Sequence, residues 1–456
     1  MIKTYVLDTN VLIQAPYALT SFEDNRIVLP LAVLEELDGL KHADGERGSN
    51  ARQAIRFLET LRARGSLIDG VALPDGGEMR LEVNHVSVAL PEGMHPESRD
   101  NRILQVCKGL LDEGEAVTLV TRDIVARIKA QMMGIPAEDF TTDQAPAPVE
   151  QYTGRAAVYV PDGGLTGFKK KGVAVETLYT VDQENRVQPV ELTENQFVLL
   201  RSDANEKKTM LGRCHDGKVT ALTHAAERPF GVKARNMGQQ FLQEALLLEA
   251  KTAPLVIVKG PAGTAKTFYA LAAGLEKVLE QERKEYRKIL VCRPNAQFDQ
   301  DIGFLPGSEQ EKITPLLRPI ADNLEILLDQ SEGKERRSEE EVQGKIAYLF
   351  ETGVIAAEAM NFMRGRSITD TWLIIDEAQN LTPRQVKGII TRVGRGTKVV
   401  LLGDPAQIDH PLLDERTNGL SYAAERMKGS SLCVQLTMSA DECERSDLAL
   451  DAAMRM

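Results

Sequence analysis

Two groups of residues in this 456-residue chain have the types and spacing to do chemistry on phosphates. The first is Gly260-Pro261-Ala262-Gly263-Thr264-Ala265-Lys266-Thr267, which follows the apolar run PLVIVK and precedes the helical text FYALAAGLEKVLE. A glycine-rich loop between a strand and a helix turns backbone N–H groups toward phosphates. Lys266 is then expected to reach the β- and γ-phosphates of ATP, and the Thr267 hydroxyl to bind Mg²⁺. About a hundred residues further on, the apolar run TWLII ends in Asp376 and Glu377, an acid pair suited to holding Mg²⁺ and polarising the attacking water. A third run ends in Leu402-Gly403-Asp404-Pro405-Ala406-Gln407, which places Gln407 to sense the γ-phosphate. Ala265 stands where the loop pattern has glycine, and a right-handed backbone at the helix mouth would accept it without strain.

The second group is acidic. Asp8 ends the first strand in YVLDTNVLI, Glu35 and Glu36 sit in LPLAVLEELDGLK, Asp100 opens DNRILQVC, and Asp123 follows AVTLVT. In a parallel α/β sheet the carboxyl ends of the strands share one edge, so Asp8 and Asp123 can converge with acids from flanking helices. Three or four convergent carboxylates form an oxygen-rich site for Mg²⁺ or Mn²⁺, and the chemistry such a site suits is phosphodiester hydrolysis.

Three regions must position these groups. Residues 1–143 alternate β-rich runs (YVLDTNVLI, RIVLPLAVL, AVTLVTRD) with the helical patterns NARQAIRFLETLRARG and DNRILQVCKGLLDEG, the rhythm of an α/β domain. The proline-bearing stretch TDQAPAPVE (142–150) reads as a linker, and short alternating runs follow to residue 231, so 144–231 is expected to be a linker with a small all-β module. Within it, His215-Asp216-Gly217-Lys218 reads as a tight hairpin turn. Residues 232–456 return to β/α alternation with strands PLVIVKG, KILVCRP, TWLIIDE and TKVVLLGD, while SEGKERRSEEE (331–341) reads as solvated helix or loop.

The net charge is −12, from 55 Lys and Arg against 67 Asp and Glu. Residues 1–150 carry −9, 151–231 carry +1 and the rest −4, so most of the acidity lies with the carboxylate group. The total argues against a basic coat-like nucleic-acid binder but leaves room for a local basic lining. Five scattered cysteines without a C-x-x-C pair exclude a disulfide framework and a zinc ribbon. Asp8 interrupts what a signal peptide would need as its apolar middle, and no stretch reaches about 18 uncharged apolar residues, so a soluble cytoplasmic protein is expected.

The motifs DEAQ (376–379) and GDPAQ (403–407) resemble the second and third motifs of superfamily 1 helicases. Their surroundings, RPNAQFDQDIGFLPGSEQEKITPLLRPIADNL (293–324), FMRGRSITDTWLIIDEAQN (362–380) and ITRVG (390–394), are similar to the PhoH family of P-loop ATPases over most of 232–456. That resemblance implies a RecA-like P-loop domain binding ATP and Mg²⁺, a helicase-type activity, and a homo-oligomeric ring such as a hexamer. It also implies a nucleotide-recognition element before the P-loop, matched by Gly231–Gln239, in which Gln239 would read the adenine edge with support from Asn236. Arg364, Arg366, Arg392 and Arg445 are the arginines available to the γ-phosphate.

Over nearly all of 1–143, D-T-N, E-L, D-N-x-I-L and T-R-D resemble the PIN nuclease domain, an α/β/α fold that mostly cuts single-stranded RNA. The E-L match selects Glu36 over Glu35, giving the metal set Asp8, Glu36, Asp100 and Asp123, with Asn10 and Thr121 holding carboxylates in place. The fusion would be an ATP-dependent RNA helicase or translocase joined to a metal-dependent endoribonuclease acting on single-stranded or tailed RNA. Two alternatives stay open: the same activities on DNA, and a nucleotide-gated RNA-binding or regulatory protein with a degenerate nuclease site. In the β module, Lys169-Lys170-Lys171 with Tyr152, Phe168 and Tyr179 offer a single-strand surface, against which stands a plain spacer; Phe298 and Phe304 are further candidates for base stacking.

Overall fold

The computed structural model describes residues 2–22, 24–43, 45–73, 77–83, 85–140, 145–161, 163–182, 184, 186–279, 285–294, 309–329, 338–358, 368–410 and 413–444. The chain divides into two compact units, Met1–Asp143 in one and Gln144–Ala296 with Leu305–Met456 in the other. Arg364, Arg366, Arg445, Phe298 and Phe304 lie outside the described residues, as does most of 331–341.

In the first unit the strands are β1 (Thr4–Leu7), β2 (Arg26–Pro30), β3 (Val71–Ala72), β4 (Glu78–Glu82), β5 (Val117–Val120) and β6 (Ala137–Glu138). Among the described residues they form one sheet in the order β3-β4-β2-β1-β5-β6, parallel except for the β3–β4 pair. The helices are α1 (Thr9–Gln14), α2 (Leu31–Leu40), α3 (Gly45–Arg62), α4 (Arg99–Asp112) and α5 (Ile124–Met132). Two runs read as continuous β text switch element midway. YVLDTNVLI leaves the sheet at Asp8 and continues as α1, and RIVLPLAVL leaves it at Pro30 and continues as α2. A largely buried apolar run fits a central strand or a packed helix equally, and here the change falls at Asp8 and at Pro30.

The second unit opens with a sheet of β7 (Arg155–Val160), β8 (Val173–Ala174), β9 (Tyr179–Val181), β10 (Val187–Pro189), β11 (Phe197–Ser202), β12 (Thr209–His215) and β13 (Lys218–Ala221), with the short helix α6 (Phe168–Lys171) against it. Its order is β10-β9-β7-β11-β12-β13-β8, antiparallel apart from β7–β11. The β12–β13 hairpin turns at Asp216 (φ 48°) and Gly217 (φ 72°), the left-handed pair a two-residue hairpin requires. This sheet packs onto the next domain: the ring of Phe197 stacks on Phe241 at 4.7 Å between centroids, and Asn195 Nδ2 donates to the carbonyls of Ser430, Ser431 and Cys433. The stretch read as a linker is also fastened there, since Ala145 is buried and its N–H donates to Arg416 O at 2.7 Å.

Two of the candidate stacking aromatics are consumed by structure. Phe168 is buried in the module core, and Tyr152 sits partly buried with its hydroxyl 2.7 Å from Thr193 Oγ1 and Lys428 over its ring. Tyr179 pairs with Tyr159 at 5.8 Å and donates to Asp203, while Lys169, Lys170 and Lys171 are exposed.

The remaining strands are β14 (Leu255–Lys259), β15 (Lys288–Cys292), β16 (Ile355–Glu358), β17 (Thr371–Ile375), β18 (Lys398–Gly403) and β19 (Cys433–Thr437). They form an all-parallel sheet in the order β16-β15-β17-β18-β14-β19, with β16 and β19 adding two edges to the four strands legible in the text. Helices α7 (Met237–Leu247), α8 (Lys266–Leu279), α9 (Glu309–Asp329), α10 (Glu339–Glu351), α11 (Pro383–Ile390) and α12 (Gly419–Arg426) connect or flank them. Trp372 fixes α8 on β17: its indole N–H donates to Ala270 O at 3.1 Å, and Gly274 leaves the space its ring fills. Among the described residues no helix is long and apolar enough to cross a membrane.

Candidate active sites

In the first unit Leu7 and Val120 are register partners on neighbouring parallel strands, so Asp8 and Thr121 emerge together at the carboxyl edge. Thr121 Oγ1–H donates to Asp8 Oδ2 at 2.5 Å, and Asn10 Nδ2 donates to the same oxygen at 2.7 Å and to Thr121 Oγ1 at 3.0 Å. Asn10 is oriented in turn by the Arg122 N–H, which donates to its Oδ1. Asp8 is nearly buried, and its carboxyl is pushed up to about 6 by burial; the hydrogen bond from Thr121 opposes the shift, and the charges of Asp100 and Glu36 add to it. Negative charge thus gathers around a nearly buried carboxyl, the electrostatic setting in which a divalent ion is stabilising.

The glutamate pair divides as helix geometry requires. Glu35 is exposed and pairs with Arg102 at 3.7 Å, whereas Glu36 acts on Asp8. Asp100, in the first turn of α4, faces Lys129 at 3.9 Å. Asp123 is the N-cap of α5, its Oδ1 accepting from the N–H groups of Val125 and Ala126. Among the described residues, no three of these carboxylates bring their oxygens within 4.8 Å of one another. A tighter group, Glu194, His215 and Asp216, lies in the β module, where His215 Nδ1 and the Asp216 N–H bond to Glu194 and tie the hairpin to the preceding loop.

In the second unit the fully buried β14 delivers the chain into the P-loop, with Gly260 at φ 152° and Gly263 at φ 86°. Ala265 adopts φ 61°, so the expectation of a right-handed, unstrained backbone there is overturned: the loop needs the left-handed turn that glycine makes freely, and Ala pays the Cβ clash. Lys266 Nζ folds back on the loop, donating to Gly260 O at 2.6 Å, Pro261 O at 2.8 Å and Thr264 Oγ1 at 3.2 Å, and burial lowers its pKa. Phosphate oxygens are stronger acceptors than these carbonyls and can draw the ammonium outward.

The two halves of the site meet directly. Thr267 Oγ1 donates to Asp376 Oδ1 at 2.9 Å, and Asp376, buried and next to Glu377, has its pKa raised by that burial first and by Glu377 second. A hydroxyl and a carboxylate in contact at the mouth of a phosphate loop are a fitting donor set for Mg²⁺. Glu377 (φ 54°) is held by Arg293 Nη2 at 2.8 Å and Gln379 Nε2 at 2.6 Å. Buried Gln379 also accepts from the Asp404 N–H and donates to Gln407 O, which joins the ends of β17 and β18.

Gln407 itself is exposed, and it is Asp404 that reaches the P-loop, accepting from the Ala262 N–H at 3.1 Å. Asp404, Arg293 and Gln379 lie inside motifs that the sequence displays, but residue type alone does not say which of them turns inward. Asn236 caps α7 through the Gln239 N–H, and Gln239 is wholly buried. Its Oε1 accepts from the Arg235 N–H and the Tyr269 hydroxyl, and its Nε2 donates to Glu444 at 2.6 Å. Arg392 is exposed.

The PIN domain family model matches residues 5–141, and that of PhoH-like protein matches residues 231–454. Protein PhoH2 of Bacillus subtilis (strain 168) is 40% identical over 464 residues, covering 99% of this chain and 99% of its own. The chain belongs to the PhoH2 family. Protein PhoH2 of Mycolicibacterium smegmatis is 33% identical, covering 98% of this chain and 95% of its own, and Protein PhoH2 of Thermobispora bispora is 32% identical at the same coverage. PhoH2 membership makes the first unit a PIN nuclease domain and the P-loop sheet a PhoH ATPase domain.

Proposed function

We propose that this PhoH2-family chain is a cytoplasmic ATP-driven RNA translocase or helicase that feeds single-stranded or tailed RNA to its own metal-dependent endoribonuclease site. The observation that carries the reading is the pairing, in one chain, of a P-loop joined to its strand-end acid (Thr267 to Asp376, 2.9 Å) with a charged carboxylate edge around Asp8. In the ATPase, Lys266 swings from the loop carbonyls to the β- and γ-phosphate oxygens, Thr267 and Asp376 hold Mg²⁺, and Glu377 orients the attacking water and accepts its proton. In the nuclease, Asp8 is oriented by Thr121 and Asn10, with Glu36, Asp100 and Asp123 around it as the other ligands. When bound, Mg²⁺ or Mn²⁺ supplies Lewis-acid chemistry to the attacking water and the leaving 3′-oxygen. Assembly as a ring of identical subunits follows the resemblance and gives an arginine access to a neighbour's γ-phosphate.

The strained Ala265 and the internally satisfied Lys266 favour a second reading, in which nucleotide gates RNA binding without driving movement. Two variants test the assignments separately. Asp8→Asn is expected to abolish metal-dependent RNA cutting with ATP turnover intact, and Lys266→Ala to abolish ATP turnover. RNA cutting by Asp8→Asn would remove the nuclease assignment, and unchanged turnover by Lys266→Ala would remove the motor.

A further inference from the structure

Beyond β19, residues 438–444 run back across the P-loop. The Met438 N–H donates to Lys259 O at 2.8 Å, Cys443 Sγ–H to Ala262 O at 3.0 Å and the Glu444 N–H to Gly263 O at 3.0 Å. In a trans peptide the C=O and the following N–H point in opposite directions. Fastening the carbonyls of Ala262 and Gly263 on one side therefore turns the N–H groups of Gly263 and Thr264 to the other, where a P-loop receives phosphate. Amides already oriented before the anion arrives need no ordering at the moment of binding.

The segment is held from the β module. Arg155, the first residue of β7, donates Nη1 to Glu442 Oε2 at 2.8 Å and Nη2 to Oε1 at 2.9 Å, and Nη1 also reaches Thr437 O at 3.3 Å. Glu442 is 4% exposed, so this is a forked, desolvated ion pair and not a surface contact. The approach is close by design of the backbone: Gly154 (φ 75°) lies where a Cβ would come within 2.1 Å of Gln435 O, and the Thr437 N–H donates to Thr153 O at 2.7 Å.

We propose that Arg155 is a positioning residue for nucleotide binding, which through Glu442 holds the 438–444 strap that orients the P-loop amides, so that the β module is a working part of the ATP site. The inference rests on the ATPase reading above. It is tested on the full chain by titrating a fluorescent ATP analogue and measuring ATP turnover for the wild type, Arg155→Met, Arg155→Lys, Glu442→Gln and the double variant Arg155→Met/Glu442→Gln. Arg155→Met should weaken binding and raise KM by about tenfold with kcat within about twofold, Arg155→Lys should recover part of the loss, and the double variant should be no worse than Arg155→Met.

Cys443 gives a second readout, since it is the partly exposed cysteine and the other four are buried. Its alkylation should be slowed by ATP in the wild type and accelerated several-fold by Arg155→Met. A purely structural role would lower the melting temperature and leave KM and the alkylation rate in place, and either unchanged affinity in folded Arg155→Met or additive losses in the double variant would overturn the proposal. Should Arg155→Met not fold, Glu442→Gln and Arg155→Lys carry the same comparison. Failure of the wild type to bind the analogue, or equal binding by Lys266→Ala, would instead remove the ATPase reading on which it rests.

Discussion

At the scale of single residues, Ala265 and Asp8 both hold positions that cost stability. Ala265 sits at φ 61°, so Ala265→Gly should raise stability by about 1 kcal/mol in denaturant unfolding while binding ATP at least as tightly. Asp8 is a nearly buried carboxylate among like charges, so Mn²⁺ or Mg²⁺ should raise the melting temperature of the wild type and do so far less in Asp8→Asn, which without metal should be the more stable of the two. Lys398 is a different case: it is fully buried, its ammonium donates to Ala245 O and Leu248 O at the end of α7, and burial pushes its pKa down to about 7. The folded value lies below the unfolded one, so between about pH 7 and pH 10 the unfolded chain holds more protons and stability rises with pH. Denaturation at both ends of that window should therefore show the wild type gaining on Lys398→Met as pH increases; a constant difference would contradict the assignment. The places of Asp8 and Asp376 directly after apolar strands, and of Thr267 in the first turn of the helix behind the P-loop, are legible in residue type and spacing. The inward turn of Asp404 and Gln239 is not, because whether a polar side chain at a strand end or helix start is buried depends on neighbours distant in sequence.

At the scale of elements, the strands that end in functional residues were legible because each is a short apolar run stopped by an acid or a glycine. What the text concealed was that helices begin directly at Thr9 and Leu31, inside runs read as β-rich, and that β16 and β19 add two edge strands. The hairpin at Asp216-Gly217 was plain, since few pairs accept two successive positive φ values. The clasp between α8 and β17 was not, because it needs a tryptophan on one element to meet a glycine on another. A methyl at Gly274 would lie 2.8 Å from Trp372 Nε1, so Gly274→Ala should destabilise the ATPase by about 1–3 kcal/mol and weaken ATP binding through displacement of α8. Wild-type melting behaviour and affinity in that variant would show that P-loop and acid strand are aligned by other contacts.

At the scale of the whole molecule, the carboxylate group and the phosphate loop lie one in each of the two compact units, with the β module belonging to the unit that holds the P-loop. The block charges follow the same division, −9 over residues 1–150 and −4 over 232–456, so on the proposed function a metal would offset the acid edge locally and RNA would need a local basic lining. The central claim is that the two sites serve one reaction sequence, with ATP turnover supplying single strands to the nuclease. A time course on a structured RNA bearing a single-stranded tail, with ATP and Mn²⁺ or Mg²⁺ varied independently, tests it most directly. Cleavage within the structured part is expected only when ATP and metal are both present; cleavage there at the same rate with metal alone would show that the two sites do not serve one reaction sequence.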